Sequence, residues 1–333
     1  MEIDPVIPPD AAGPVSLRVS VTDRCPYRCL YCMPAGGLPL FTHADILRYE
    51  EIGRVVRALK DLVGLTKVHV TGGEPLARRN VVDLVAMLAA EGVEDLAMTT
   101  NGALLAEMAA GLKAAGLHRI NVSLDSLNAE TFRRITRGGE LAQTLAGIEA
   151  AAACGLAPVK LNATLLRGIN DADVVALTKF AIARGMTMRF IELMPIGEAD
   201  ARSDEWFVPS QETLDRLGEE FTVTPLPRRP GSSSTEYRLA AATGETGVVG
   251  LISPTSRPFC GDCRRLRLTA TGELIGCLAR DGAESIVPIV RSDPPLDDRR
   301  FAQQVLDKAQ AAMGRKRRRS GFTSARNMGK VGG

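Results

Sequence analysis

Histidine is nearly missing from this 333-residue chain: three occur, at positions 43, 69 and 118, and none belongs to a ligand-spaced motif. A zinc site of three thiolates completed by histidine therefore lacks its usual fourth ligand. No apolar run approaches ~18 residues, and the start, "MEIDPVIPPDAAGPV", has neither the basic residues nor the apolar stretch of a secretory signal. These absences predict a cytoplasmic protein with no membrane partner, whose thiols stay reduced. Excess charge of one sign is lacking too: 41 Lys and Arg balance 39 Asp and Glu, leaving a formal net charge of +2. That argues against a nucleic-acid-coating surface, yet allows a local basic pocket for an anionic small molecule.

What is present is an ordinary globular composition, 45% hydrophobic and 24% charged, long enough for one large barrel-type domain or two domains. From residue 15 to 195, β-branched runs alternate with Ala/Leu-rich stretches of helical period. The predicted strands are 16–22, 67–73, 95–101, 119–125, 159–165 and 188–194, and the helices between them stop at glycines such as Gly92 and Gly116. Six such units fall short of the eight of a full (β/α)8 barrel, so the expected fold is α/β, an incomplete (β/α)6-type barrel, with a doubly wound sheet second. After residue 195, Pro and Ser/Gly clusters separate shorter strands, and "RRLRLTATGELIGCL" predicts a hairpin turning at Ala270 to Gly272. The boundary is expected between 195 and 215, giving a barrel over 1–200 and a C-terminal region over 201–333. The run "RKRRR" at 315–319 reads as a solvated tail or helix end rather than a nucleic-acid patch.

Seven cysteines in a reducing compartment read as metal ligands more readily than as disulfides. Cys25, Cys29 and Cys32, in "TDRCPYRCLYCMP", have C-x3-C-x2-C spacing where the first strand ends, the edge on which β/α barrels build their sites. Three soft thiolates suit zinc or an iron–sulfur cluster, and a [4Fe–4S] cluster held by only three leaves one iron open. Cys260, Cys263 and Cys277 form C-x2-C-x13-C; zinc there would need Asp262, Glu273, Asp281 or Cys154, so a second three-cysteine cluster is preferred with zinc still open. Cys154, at an apolar helix end, reads as an inert thiol. Strand alternation puts Arg265 and Arg267 on one face and Arg264 opposite, a pair suited to gripping phosphate or carboxylate.

"CPYRCLYCMP", with Tyr31 before its last cysteine, and "TGGEP" at 71–75 resemble the radical S-adenosylmethionine (SAM) superfamily. Together with the second triad, its arginines and a Gly-Gly terminus, the chain resembles the GTP 3',8-cyclase family of molybdenum cofactor biosynthesis. The resemblance implies a lyase with an incomplete barrel, two [4Fe–4S] clusters and SAM, the second cluster being carried by the C-terminal portion. It further implies a 5'-deoxyadenosyl radical that takes hydrogen from ribose C3' of GTP, giving 3',8-cyclo-7,8-dihydro-GTP. Carried over residue by residue, the metal ligands are Cys25, Cys29, Cys32, Cys260, Cys263 and Cys277. SAM contacts are Tyr31, Gly73, Ser123 and Met194; GTP contacts are Arg18, Thr99, Lys160, Arg265 and Arg267. Arg265, Arg267 and the inserting tail Gly332-Gly333 are the catalytic set. Implied partners are GTP, SAM, an unidentified electron donor and, next in metabolic order, cyclic pyranopterin monophosphate synthase, for a monomer or homodimer that binds no nucleic acid. Two positions depart from the pattern: His69 stands where the family commonly has a phosphate-contacting arginine, and Pro26 replaces a more usual polar residue. Competing readings are a radical SAM enzyme acting on a peptide and a non-catalytic zinc or redox module binding nucleic acid.

Overall fold

In β1 (Val15–Ser20) the side chains of Val15, Leu17 and Val19 are buried on one side, while Ser16 and Arg18 lie on the other. This two-residue period, with a polar face opposite an apolar one, recurs along the sheet and decides the architecture. The computed structural model describes residues 15–316, 321–322, 324 and 326–331. In β5 (Val159–Thr164) the buried Val159, Leu161 and Ala163 alternate with Lys160, Asn162 and Thr164. The apolar sides join one contiguous core with the helices Tyr49–Val63, Val81–Ala90, Leu105–Ala114, Leu141–Ala153 and Val174–Ile182. Gly92 and Gly116 close the second and third of these at φ of 70° and 98°, where a Cβ would be strained.

β1, β2 (Leu65–Thr71), β3 (Asp95–Thr100), β4 (Arg119–Ser123), β5 and β6 (Thr187–Ile191) are neighbours in parallel, as the six repeated units predict. After them come β7 (Phe221–Pro225), β8 (Thr235–Ala241), β9 (Thr246–Ile252), β10 (Arg265–Leu268), β11 (Glu273–Ile275) and β12 (Glu284–Ser285). The C-terminal part does not stand apart from this sheet. β9 adds in parallel beside β6, and β10 adds in parallel beside β1, so among the described residues eight consecutive strands are parallel. β7 and β8 continue antiparallel beyond β9, and β11 and β12 beyond β10, the latter pair through the expected turn, where Thr269 N–H donates to the Glu273 carbonyl at 2.9 Å.

Side chains from β1 through β6 and from β9 line a single cavity, which a flat doubly wound sheet cannot arrange; the sheet curls into an open barrel. Residues 253–264 leave β9 at one flank of the parallel run and enter β10 at the other, a strap joining its two outer strands. Outside, the helix Asp298–Gly314 packs on Tyr49–Val63, with the Arg54 guanidinium 3.9 Å from the Phe301 ring centre. No helix among the described residues is long and apolar enough to cross a membrane.

Candidate active site

The cavity opens at the carboxyl ends of the strands and encloses about 1380 Å³ including its open mouth. Its upper wall is the loop after β1. That loop is fastened to the end of β2 by Gly73 N–H to the Thr22 carbonyl (2.7 Å) and Glu74 N–H to the Arg24 carbonyl (2.8 Å). A Cβ on Gly73 would stand 2.5 Å from the Arg24 carbonyl oxygen. The glycine is thus required by the docking of two loops, a reason additional to the ligand approach expected from its motif. Cys25, Cys29, Cys32, Tyr31, Gly73, Ser123 and Met194 all line this mouth. The Tyr31 hydroxyl donates to Asp125 Oδ2 at 2.8 Å, and Asp125 Oδ1 accepts the Thr164 N–H at 2.8 Å, so β4 and β5 fix the ring.

The three mouth thiols are poorly placed to ionise alone. Burial, then Glu74, pushes Cys25 up to about 11; burial, then Cys25, pushes Cys32 up to about 12. Burial and Asp125 hold Cys29 well above its usual value. Three half-buried thiols whose ionisation each other's charge opposes would be stabilised as thiolates by a positive group between them, and an iron–sulfur cluster has the soft, positive iron such a set fits. Among the described residues, no three His, Cys, Asp or Glu side chains converge closely enough to hold a single metal ion. A cubane asks for a wider triangle, because each thiolate sits on a different iron.

Arg18 and Arg189 line the cavity, and further cations stand beside them on the neighbouring strands. Arg18 on β1 pairs in register with Arg267 on β10 and with His69 on β2. Burial, then Arg267, Arg265 and Arg189, holds the Arg18 guanidinium well below its usual value. Burial and Arg265 bring Arg267 down to about 10; burial and Arg119 bring Arg189 to about 10; burial and Arg189 bring Lys160 to about 8. The carboxylates near these cations are already engaged: Asp95 by Arg119 (2.8 Å) and Lys67 (3.2 Å), and Glu236 at 3.8 Å from Lys160, while Glu74, Asp125 and Glu192 line the cavity toward its loops. Such a set of cations suits a polyanion.

His69 is already engaged within the sheet. Burial and Arg18 keep its imidazole well below its usual pKa, hence neutral, and its Nε2 is committed to Thr99 Oγ1 (2.6 Å) and Asn121 Nδ2 (3.2 Å). It buttresses Thr99. Arg189, held by Asn162 Oδ1 at 2.9 Å, and Asn121, whose Oδ1 is buried without a partner, were not foreseen from sequence. Strand alternation was the available signal, since Asn121, Asn162 and Arg189 fall on the same face as Arg18 and Lys160.

The second triad lies on the strap and the hairpin beyond it. Burial, then Cys263 and Cys277, raises the Cys260 thiol above its usual value. Burial would raise the Cys263 thiol, but Arg265 and Lys316 outweigh it and bring the thiol to about 6. Arg265 also lies 4.6 Å from the Phe259 ring centre. The strap is pinned by Glu192, at the end of β6: its carboxylate accepts from the Thr255 and Ser256 N–H groups (3.1 and 2.9 Å) and from Ser210 N–H (2.8 Å). The basic run at 315–319 begins at a helix end, as one of its two readings has it, with Arg315 capping the helix Asp298–Gly314 and pairing with Glu284; Lys316, however, turns in to Cys263, while 317–319 lie outside the described residues. Gly332 and Gly333 also lie outside them, but Met328 lines the cavity and Lys330 Nζ is 4.6 Å from the Phe41 ring centre.

Residues 19–181 match the Radical SAM superfamily, and residues 186–322 match Molybdenum Cofactor Synthesis C. A GTP 3',8-cyclase from Geobacter sulfurreducens is 44% identical, over 84% of this chain and 85% of its own. Those from Moorella thermoacetica (45%, covering 84% and 85%) and Pelotomaculum thermopropionicum (42%, covering 95% and 97%) are similar. The chain belongs to the GTP 3',8-cyclase family. Streptococcus suis SuiB, in its complex with precursor peptide SuiA, matches this GTP 3',8-cyclase family member with a TM-score of 0.61 over 91% of the chain and 66% of SuiB. At 13% identity that likeness concerns the fold, and the SAM-bound SuiB structure (TM-score 0.57, 82% of this chain and 63% of SuiB) repeats it.

Proposed function

We propose that this chain converts GTP, with SAM, to 3',8-cyclo-7,8-dihydro-GTP, the first step of molybdenum cofactor biosynthesis. The observation that carries this reading is one cavity lined both by the thiols of Cys25, Cys29 and Cys32 and by the guanidinium-bearing Arg18 and Arg189, with Arg267 in register beside Arg18 on the next strand. Cys25, Cys29 and Cys32 would hold a [4Fe–4S] cluster, with Tyr31, Gly73, Ser123 and Met194 around SAM. When bound, that pair would supply the electron-initiated 5'-deoxyadenosyl radical for hydrogen removal at ribose C3'; bonding of C3' to guanine C8 would then leave a base radical that one further electron from the donor and one proton convert to the dihydro product.

The chain's own residues orient and shield. The cations receive the triphosphate, and Thr99, held by His69, faces the nucleoside beside Asn121. A buried acceptor such as Asn121 Oδ1 suits a hydroxyl or amine of the nucleoside, because phosphate oxygens offer no donor. Cys260, Cys263 and Cys277 would hold the second cluster, with Arg265 and Arg267 beside it, and the Gly332-Gly333 tail would enter the mouth that Met328 already lines. Functionally, residues 1–200 supply the SAM site and 201–333 the second cluster and the tail. The reaction is placed in the cytoplasm, where such thiols stay reduced, fed by an electron donor and followed by cyclic pyranopterin monophosphate synthase.

The test uses reduced holoenzyme, SAM and GTP carrying deuterium at C3'. Deuterium in 5'-deoxyadenosine, formed only when GTP is present, is the expected result. Consumption of GTP with unlabelled 5'-deoxyadenosine would move the abstraction to another carbon.

A further inference from the structure

Lys316 has an inward contact that neither the GTP nor the SAM assignment explains. Its Nζ donates to the Cys263 carbonyl at 3.0 Å and stands 3.3 Å from Cys263 Sγ. This placement is built from outside the barrel. The helix Asp298–Gly314, which ends two residues before Lys316, is held to β12 by ion pairs from Lys308 and Arg315 to Glu284, and to the helix Tyr49–Val63 by Arg54 over Phe301. Its last turn rests on Gly276, where any Cβ would collide with the Ala312 carbonyl. Gly276 is the residue before Cys277. The helix is thus seated on one ligand's neighbour and delivers a cation to another ligand.

We infer that Lys316 is a positioning residue for the group held by Cys260, Cys263 and Cys277, its N–H···S bond and positive charge raising both the retention and the reduction potential of a cluster there. This rests on the reading of the second triad as a cluster site. Charge near a cluster and hydrogen bonds to its sulfurs set its potential, and a cation favours the reduced, more negative form. Outer partners of ligands typically alter metal affinity by roughly 10–100-fold when removed. Arg265 acts on the same thiol by charge, and Lys316 brings its ammonium within 3.3 Å of the sulfur.

The experiment uses the full chain with Cys25, Cys29 and Cys32 changed to Ala, reconstituted anaerobically with iron and sulfide. About four irons per chain in this background supports the second-cluster reading by itself, and failure of this otherwise folded chain to take up iron overturns that reading and the Lys316 role with it. With iron bound, Lys316→Met and Lys316→Arg are compared by EPR-monitored redox titration and by the rate of iron release to a chelator. Expected is a lower midpoint potential and roughly 10–100-fold faster release in K316M, with K316R recovering most of both. An unchanged potential and release rate in K316M would overturn the role while leaving the cluster assignment intact. If K316M holds no iron, retention by K316R supports the inference, and equal loss in both refers the effect to packing and overturns it.

Discussion

Arg18 and Arg267 lie directly opposite each other on the neighbouring parallel strands β1 and β10. Burial and then Arg267 itself depress the Arg18 pKa, so these cations repel one another and a polyanion beside them would relieve the repulsion. Ligand affinity and the cost of holding these cations together are two sides of one arrangement.

Replacing Arg267 with Ala removes a charge-assisted contact worth about 1.5–3 kcal/mol, so GTP binding measured by calorimetry should weaken by roughly 10- to 150-fold. SAM affinity should change far less, because the contacts proposed for it, Tyr31, Gly73, Ser123 and Met194, do not include Arg267. Equal losses for both ligands would separate the arginines from phosphate recognition.

Lys160 gives the binding a pH signature. Burial and Arg189 bring its ammonium to about 8, so in the free enzyme it is charged below that pH and neutral above it. GTP favours the charged form, and affinity should fall above pH ~8 by up to about tenfold per unit. Lys160→Met should bind weakly with the slope removed; a mutant that keeps the slope would assign the titration elsewhere.

Gly73→Ala forces a Cβ toward the Arg24 carbonyl and pushes the cysteine loop off β2. Iron should drop from about eight to about four per chain, with the second site retained and SAM cleavage lost. Full iron content in G73A would show that the loop yields without cost.

Glu74 couples stability to pH in the acid range. Its buried carboxylate accepts from Leu76 N–H (3.0 Å), Thr100 Oγ1 (2.7 Å) and Asn101 N–H (2.7 Å), and burial lifts its pKa to about 7. The folded state therefore binds a proton that the unfolded state has released, and this contribution to stability declines as pH rises from about 4.5 to about 7. Glu74→Gln should remove that decline and, by presenting an amide to N–H donors, cost about 1–3 kcal/mol in denaturant melts at pH 7. An unchanged stability slope in E74Q would show that another group carries it.

The first cysteine triad was legible because its information is local: three residues within one loop, at the end of a strand with a clear period. The six-strand repeat was legible for the same reason. β9 and β10 as outer parallel strands were not, since their partners are β6 and β1 and long-range register leaves no local trace. Lys316 was hidden by its neighbours, because a run of five basic residues reads as solvated and only the docking of the preceding helix turns one of them inward. Gly276 was equally silent, its need for a bare Cα arising from a helix that begins more than twenty residues later. Arg189 and Asn121 shared the face of recognised residues but no motif of their own.

The strap over residues 253–264 also fixes an order of events during synthesis. β1 is among the first strands to leave the ribosome, yet its partner β10 is made only after both residue 252 and the strap exist. Until then β1 is a bare sheet edge, the kind of surface that pairs with other chains. A chain interrupted before Arg265 keeps that edge for good, so its exposure is a question of translation and chaperoning as much as of catalysis.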